Sequence, residues 1–83
     1  MKIIIQPSAK KDLMDLIPKT IAEILRKLNS ISENPLRFIE RLKNTSLWKL
    51  RIGDYRAILY INTGKEEMHV LKIGQRKNIY KRI

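Results

Sequence analysis

Cysteine is absent from the 83 residues, which removes both a disulfide framework and a thiolate zinc site. A single histidine argues against a metal enzyme and against a Ser-His triad. No apolar run approaches the roughly 18 residues a membrane-spanning helix requires, and the opening MKIIIQPSAKKD is too short for a secretory signal. The expected location is therefore the cytoplasm, with no membrane partner. Paired carboxylates at catalytic spacing, a phosphate-cradling glycine loop and a metal-ligand cluster are missing too. No metal and no small-molecule cofactor is expected. Acidic residues are the scarcest resource: eight Asp and Glu against eighteen Lys and Arg give a net charge of +10. Such a balance calls for a polyanionic partner, whether nucleic acid, an acidic protein segment or an anionic surface.

The excess charge is uneven. Residues 1–46 hold nine basic and five acidic side chains (+4), and 47–83 hold nine and three (+6). At 43% hydrophobic residues the chain can bury a core, and residues 1–83 suffice for one domain only. KIIIQ (2–6) suits a buried strand, ended by Pro7, with Ser8 as a helix N-cap. A short helix through AKKDLMDL follows. A second opens near Pro18, with Ile21, Ile24, Leu25, Leu28 and Ile31 forming one apolar stripe. Asn34-Pro35 closes it. Residues 36–46 read as a connector whose Phe38, Ile39 and Leu42 touch the core. Alternation then predicts strands over 47–52, 55–62 and 67–73. The expected fold is α+β, in the order β-α-α-β-β-β: two N-terminal helices on one face of a small, mostly antiparallel four-stranded sheet.

The stretch WKLRIGDYRAILYI (48–61) frames the functional question. A two-residue turn at Gly53-Asp54 pairs Ile52 with Tyr55, Arg51 with Arg56 and Lys49 with Ile58. Gly-Asp is a less usual order than Asp-Gly, so a longer turn is the alternative. Trp48, Leu50, Ile52, Tyr55, Ala57, Leu59 and Ile61 then share the apolar face, and Lys49, Arg51 and Arg56 share the other. Like charges opposed across strands are destabilising. The next hairpin, about Gly64-Lys65, sets Ile61 near Met68, Leu59 near Val70 and Tyr55 near Gly74. That return brings Arg76 to the end of the sheet where Arg51 and Arg56 stand. With few acids expected nearby, a phosphate supplies the missing counter-charge, and arginine binds phosphate bidentately. Tyr80, four residues beyond Arg76, is either a hydrophobic anchor or a base-stacking platform. His69 stands alone on its strand and reads as structural. Lys2, Lys10, Lys11, Lys19, Arg26, Lys27, Arg37 and Lys65 read as a solvated face.

The same residues carry a family resemblance. LWKLRIGDYRAILYI followed by VLKIGQRKNIYKR resembles the RelE branch of the RelE/ParE toxin superfamily. Its pattern has an Arg-x-Gly-Asp/Asn-Tyr-Arg hairpin, an apolar strand, and a strand ending Gly-His-Arg. ENP after a helix and ERLKN before the first hairpin strand fit the same layout. The resemblance implies a fold like that of microbial ribonucleases and cleavage of mRNA in the ribosomal A site. It implies attack of the 2′-hydroxyl on the adjacent phosphate, and restraint by a cognate acidic RelB-like antitoxin. By that likeness Lys49, Arg56, Arg76 and Tyr80 form the catalytic set, with Arg51, Lys77 and Lys81 binding RNA. Arg56 would stabilise charge on the phosphorane, Arg76 would assist the leaving oxygen and Tyr80 would stack on a base. By the same likeness Lys49, set among arginines, would act as the base. Two positions depart from the pattern: Leu47 stands where some members have a second lysine, and Gln75 replaces the common histidine. The competing expectations are a ParE-like toxin that inhibits DNA gyrase and a non-catalytic RNA-binding module.

Overall fold

Three consecutive isoleucines and two prolines set the first half of the chain. In the computed structural model, which describes residues 1–79, strand β1 spans Lys2–Ile5 and gives way at once to helix α1, Pro7–Met14. Pro7 starts this helix rather than only ending the strand. It occupies the first turn, where its missing N–H goes unneeded, and Gln6 before it is extended. Ser8 is therefore not the N-cap. Its hydroxyl accepts a hydrogen bond from Lys72 Nζ instead. Pro18 opens helix α2, Pro18–Ile31, in the same manner. Ile24, Leu28 and Ile31 of the predicted stripe are buried and Ile21 packs against them, whereas Leu25 remains 40% exposed at the margin.

Past α2 the chain makes a short 3-10 turn, Pro35–Arg37, then strand β2, Glu40–Arg41. Strands β3 (Trp48–Ile52), β4 (Tyr55–Asn62) and β5 (Glu67–Gln75) complete the sheet. Its order is β1-β5-β4-β3-β2, with β1 parallel to β5 and the other neighbours antiparallel. The sheet thus has a fifth strand beyond the four expected. Two residues carry no readable alternation, so β2 exists only through its pairing with β3. Arg41 secures it: the guanidinium lies 5.0 Å from the centre of the Trp48 ring, and Nε donates to the Thr45 carbonyl.

Helix α1 packs on β5 and α2 on β3. The core runs between helices and sheet through Leu13, Ile24, Leu28, Leu50, Leu59, Met68 and Val70. Trp48, Tyr55 and Ile61 border it as their strand parity requires. At about 1.5–3 kcal/mol for each fully buried aliphatic side chain, this layer holds the fold together. Ile58 is also buried, but on the other face of β4 from Ala57 and Leu59. The outer face is therefore not wholly solvated.

Both hairpins take the predicted partners at their near ends. Ile52 pairs with Tyr55, Arg51 with Arg56 and Lys49 with Ile58. Gly53 has φ of +58°, the left-handed value a two-residue primed turn asks of its first glycine, so Gly-Asp needs no longer loop. In the second hairpin Ile61 pairs with Met68 and Leu59 with Val70, as expected, but Tyr55 meets Gln75 rather than Gly74. A bulge at Ile58/Leu59 inserts one residue into β5 and advances everything after it. Just past this bulge the Ile73 N–H donates to Asp12 Oδ2 at 3.0 Å. Helix α1 thereby holds the register of the strand that delivers Arg76.

Candidate nucleic-acid interface

Strand pairing assembles the cations. Lys49, Arg51 and Arg56 line one cleft of about 170 Å³ on the outer face, together with Glu40 and Phe38. Arg51 and Arg56 stand opposite each other across β3 and β4, and Arg51 is exposed. Arg56 is only 8% exposed, the one charged side chain buried among the described residues. Its Nη1 donates to the carbonyls of Gly53 (3.0 Å) and Tyr55 (2.8 Å). The guanidinium thus braces the turn with one nitrogen, and Nε and Nη2 hold the rest of its five-donor fork. An arginine pinned in this way meets an anion with little rotamer entropy left to lose.

The expectation of a cluster without carboxylates needs correcting. Glu40 pairs with Lys49 across β2 and β3, and its Oε2 lies 3.6 Å from Lys49 Nζ. Sequence reasoning missed this acid because it sits in a two-residue strand, where periodicity has nothing to measure. Phe38 was missed for a related reason. The connector reading places it in the core with Ile39 and Leu42, but Ile39 is buried and Phe38 is 51% exposed at the cleft.

Arg76 arrives at the predicted end of the sheet, where its backbone N–H donates to the Asp54 carbonyl at 3.1 Å. Its side chain lines a neighbouring concavity of about 370 Å³ with Asp54, Gln75 and Lys77. Arg76 and Lys77 therefore flank the cleft of Lys49, Arg51 and Arg56 and do not line it. Gly74 makes the approach possible. A Cβ there would lie 3.2 Å from Ile79 Cδ1, and Ile79 is completely buried. Tyr80 and Lys81 lie outside the described residues.

His69 is not alone. Its Nε2 lies 3.1 Å from Glu67 Oε1 and its Nδ1 2.8 Å from Gln6 Nε2, so it ties the junction of β1 and α1 to β5. The signal was present, since residues two apart on a strand share a face. Tyr60 packs near it, ring centres 5.9 Å apart. This group is engaged with itself, away from the cationic cleft.

Residues 3–80 match the family of ParE toxins of type II toxin–antitoxin systems (parDE). The chain belongs to this family, within the RelE/ParE superfamily. The toxin shares its fold with several solved relatives. A chain of the toxin–antitoxin complex RelBE2 from Mycobacterium tuberculosis superposes with a TM-score of 0.82 at 23% identity, covering 90% of this chain and 96% of that one. The isolated RelE toxin of E. coli gives 0.76 at 20%, covering 98% and 92%. A YoeB/ParE toxin from Agrobacterium tumefaciens gives 0.76 at 16%, covering 92% and 99%. No curated protein matches the sequence significantly. No helix among the described residues is long and apolar enough to cross a membrane.

Proposed function

We propose that this toxin is a ribosome-dependent mRNA endoribonuclease that cuts in the A site and so stops translation. One observation carries the reading: Lys49, Arg51 and Arg56 converge from two strands on one outward cleft. A phosphodiester bridging them relieves the repulsion that the opposed arginines otherwise impose. The reaction is attack by the 2′-oxygen on its own adjacent phosphorus as the 2′-hydroxyl loses its proton. The P–O5′ bond breaks, leaving a 2′,3′-cyclic phosphate and a 5′-hydroxyl once the leaving oxygen is protonated. Arg56 donates to the equatorial oxygens where charge develops, a type of contribution worth about 10²–10³ in rate per donor in other enzymes. Arg76 assists the leaving oxygen from the neighbouring concavity. Lys49 and Glu40 form one proton-handling pair, and the carboxylate member accepts a proton without first having to lose one. The ribosome supplies the in-line alignment that the open cleft does not impose. The site of action is the cytoplasm, where ribosomes and mRNA meet.

The restraining partner is an acidic antitoxin of RelB type. Solved complexes of this fold from Pyrococcus horikoshii and Methanococcus jannaschii pair a RelE with a RelB, and a charge of +10 favours an acidic cover. A second reading, inhibition of DNA gyrase by protein contact, draws on the ParE description of the matching family. Purified toxin added to ribosomes programmed with mRNA, followed by primer extension, decides between them. Cuts confined to the A-site codon support the nuclease. Intact message with loss of gyrase supercoiling overturns it.

A further inference from the structure

Phe38 stands half exposed between two buried residues of its segment, Pro35 and Ile39. The turn before it is anchored by buried Pro35, whose carbonyl accepts from the Phe38 N–H at 2.9 Å, and buried Ile39 anchors the residue after it. Backbone held on both sides presents an aromatic ring that stays half exposed. One part of that ring's surroundings is the cleft of Lys49, Arg51 and Arg56. Another is Lys27 of α2, whose Nζ lies 6.0 Å from the ring centre, at the outer range of a cation–π contact. Cations therefore stand on the sheet side and on the helix side of one flat apolar surface. Single-stranded RNA has the matching alternation, phosphate, base, phosphate, and unpaired bases are gripped by stacking on such rings.

We infer that Phe38 is the stacking platform for an unpaired base next to the phosphate held by Lys49, Arg51 and Arg56, with Lys27 as the outer cation. This rests on the RNA-cleaving reading above and extends its site from the sheet onto α2. It also gives Lys27 a role beyond the solvated face to which composition assigns it. Stacking needs a flat ring, whereas the apolar face of a protein partner needs only bulk. Leucine in place of phenylalanine therefore separates a base from a protein segment.

The test is fluorescence anisotropy of the full chain, at low salt, with a labelled single-stranded RNA 12-mer and an abasic ribose-phosphate oligomer of equal length. Wild type should bind the base-bearing strand more tightly than the abasic one. Phe38→Trp and Phe38→Tyr should stay within about threefold of wild type. Phe38→Leu and Phe38→Ala should weaken the base-bearing strand roughly 10- to 100-fold and leave the abasic one unchanged. Thermal melting checks that each variant is folded. If wild type binds and cuts RNA but Phe38→Leu matches it, the stacking role is wrong and the nuclease reading stands. Equal losses on both oligomers also overturn the stacking role. If wild type neither binds RNA nor cuts it on the ribosome, both readings fall.

Discussion

In the proposed nuclease Arg56 serves both the fold and the reaction, and its replacement separates the two. Nη1 donates to two carbonyls of the Gly53-Asp54 turn, at 3.0 and 2.8 Å, and the residue is 8% exposed. A hydrogen bond from a charged donor contributes about 1.5–3 kcal/mol net. Because both bonds share one nitrogen and the turn's carbonyls lie near solvent, we take the value of a single such bond. Arg56→Met should therefore cost about 2 kcal/mol and lower the melting midpoint by roughly 10 °C, at about 4–8 °C per kcal/mol for a domain of this size. Arg56→Lys keeps the charge and most of the stem, so it should cost less than about 1 kcal/mol. It loses the planar fork, however, so A-site cleavage should fall about 10²- to 10³-fold. The assay pairs melting curves with primer extension on programmed ribosomes, with growth inhibition on induced expression as the cellular readout. Full cleavage by a folded Arg56→Lys would refute the bidentate role. A melting loss in Arg56→Lys as large as in Arg56→Met would attribute the effect to the turn rather than to chemistry.

Further outcomes follow from other contacts. Glu40→Gln should change stability by less than about 0.5 kcal/mol, because the Glu40 side chain is 78% exposed in its pair with Lys49; RNA binding should tighten while cleavage falls, and the two measured together show whether Glu40 handles a proton. With one phosphate on Lys49, Arg51 and Arg56 and a second on Lys27, the logarithm of RNA affinity should fall with the logarithm of salt at a slope of about −1.4, and Lys27→Ala should make that slope shallower by about 0.7. Asp12→Ala leaves the Ile73 N–H without its acceptor; urea unfolding should show a loss of about 1–3 kcal/mol. Gly74→Val intrudes on Ile79, so it should lower the melting midpoint and reduce cleavage by displacing the turn that carries Arg76 and Lys77.

How much was legible in the chain can be judged residue by residue. The stripe of α2, the Ile52–Tyr55 turn and the Arg51–Arg56 opposition follow from local period and turn chemistry, because a strand's two faces alternate strictly. The one-residue advance that brings Gln75 to Tyr55 did not follow. A bulge is an agreement between two strands and a helix, with Asp12 receiving the Ile73 N–H, and no single segment announces it. Glu40 and Phe38 escaped for the same reason. Their segment is too short and irregular to have a period, and the neighbours that give them meaning come from β3, β4 and α2.

By itself the sequence determined a small basic α+β domain, its apolar face and the strand pairs that oppose cations, since burial and alternation act over a few residues. Only the tertiary structure decided that Arg56 is buried and braced and that Lys49 has a carboxylate partner. It also decided that Arg76 lies beside the cleft and that an aromatic ring stands at its rim. Those properties depend on distances between separate segments, and such distances are fixed by packing, bulges and turns acting together.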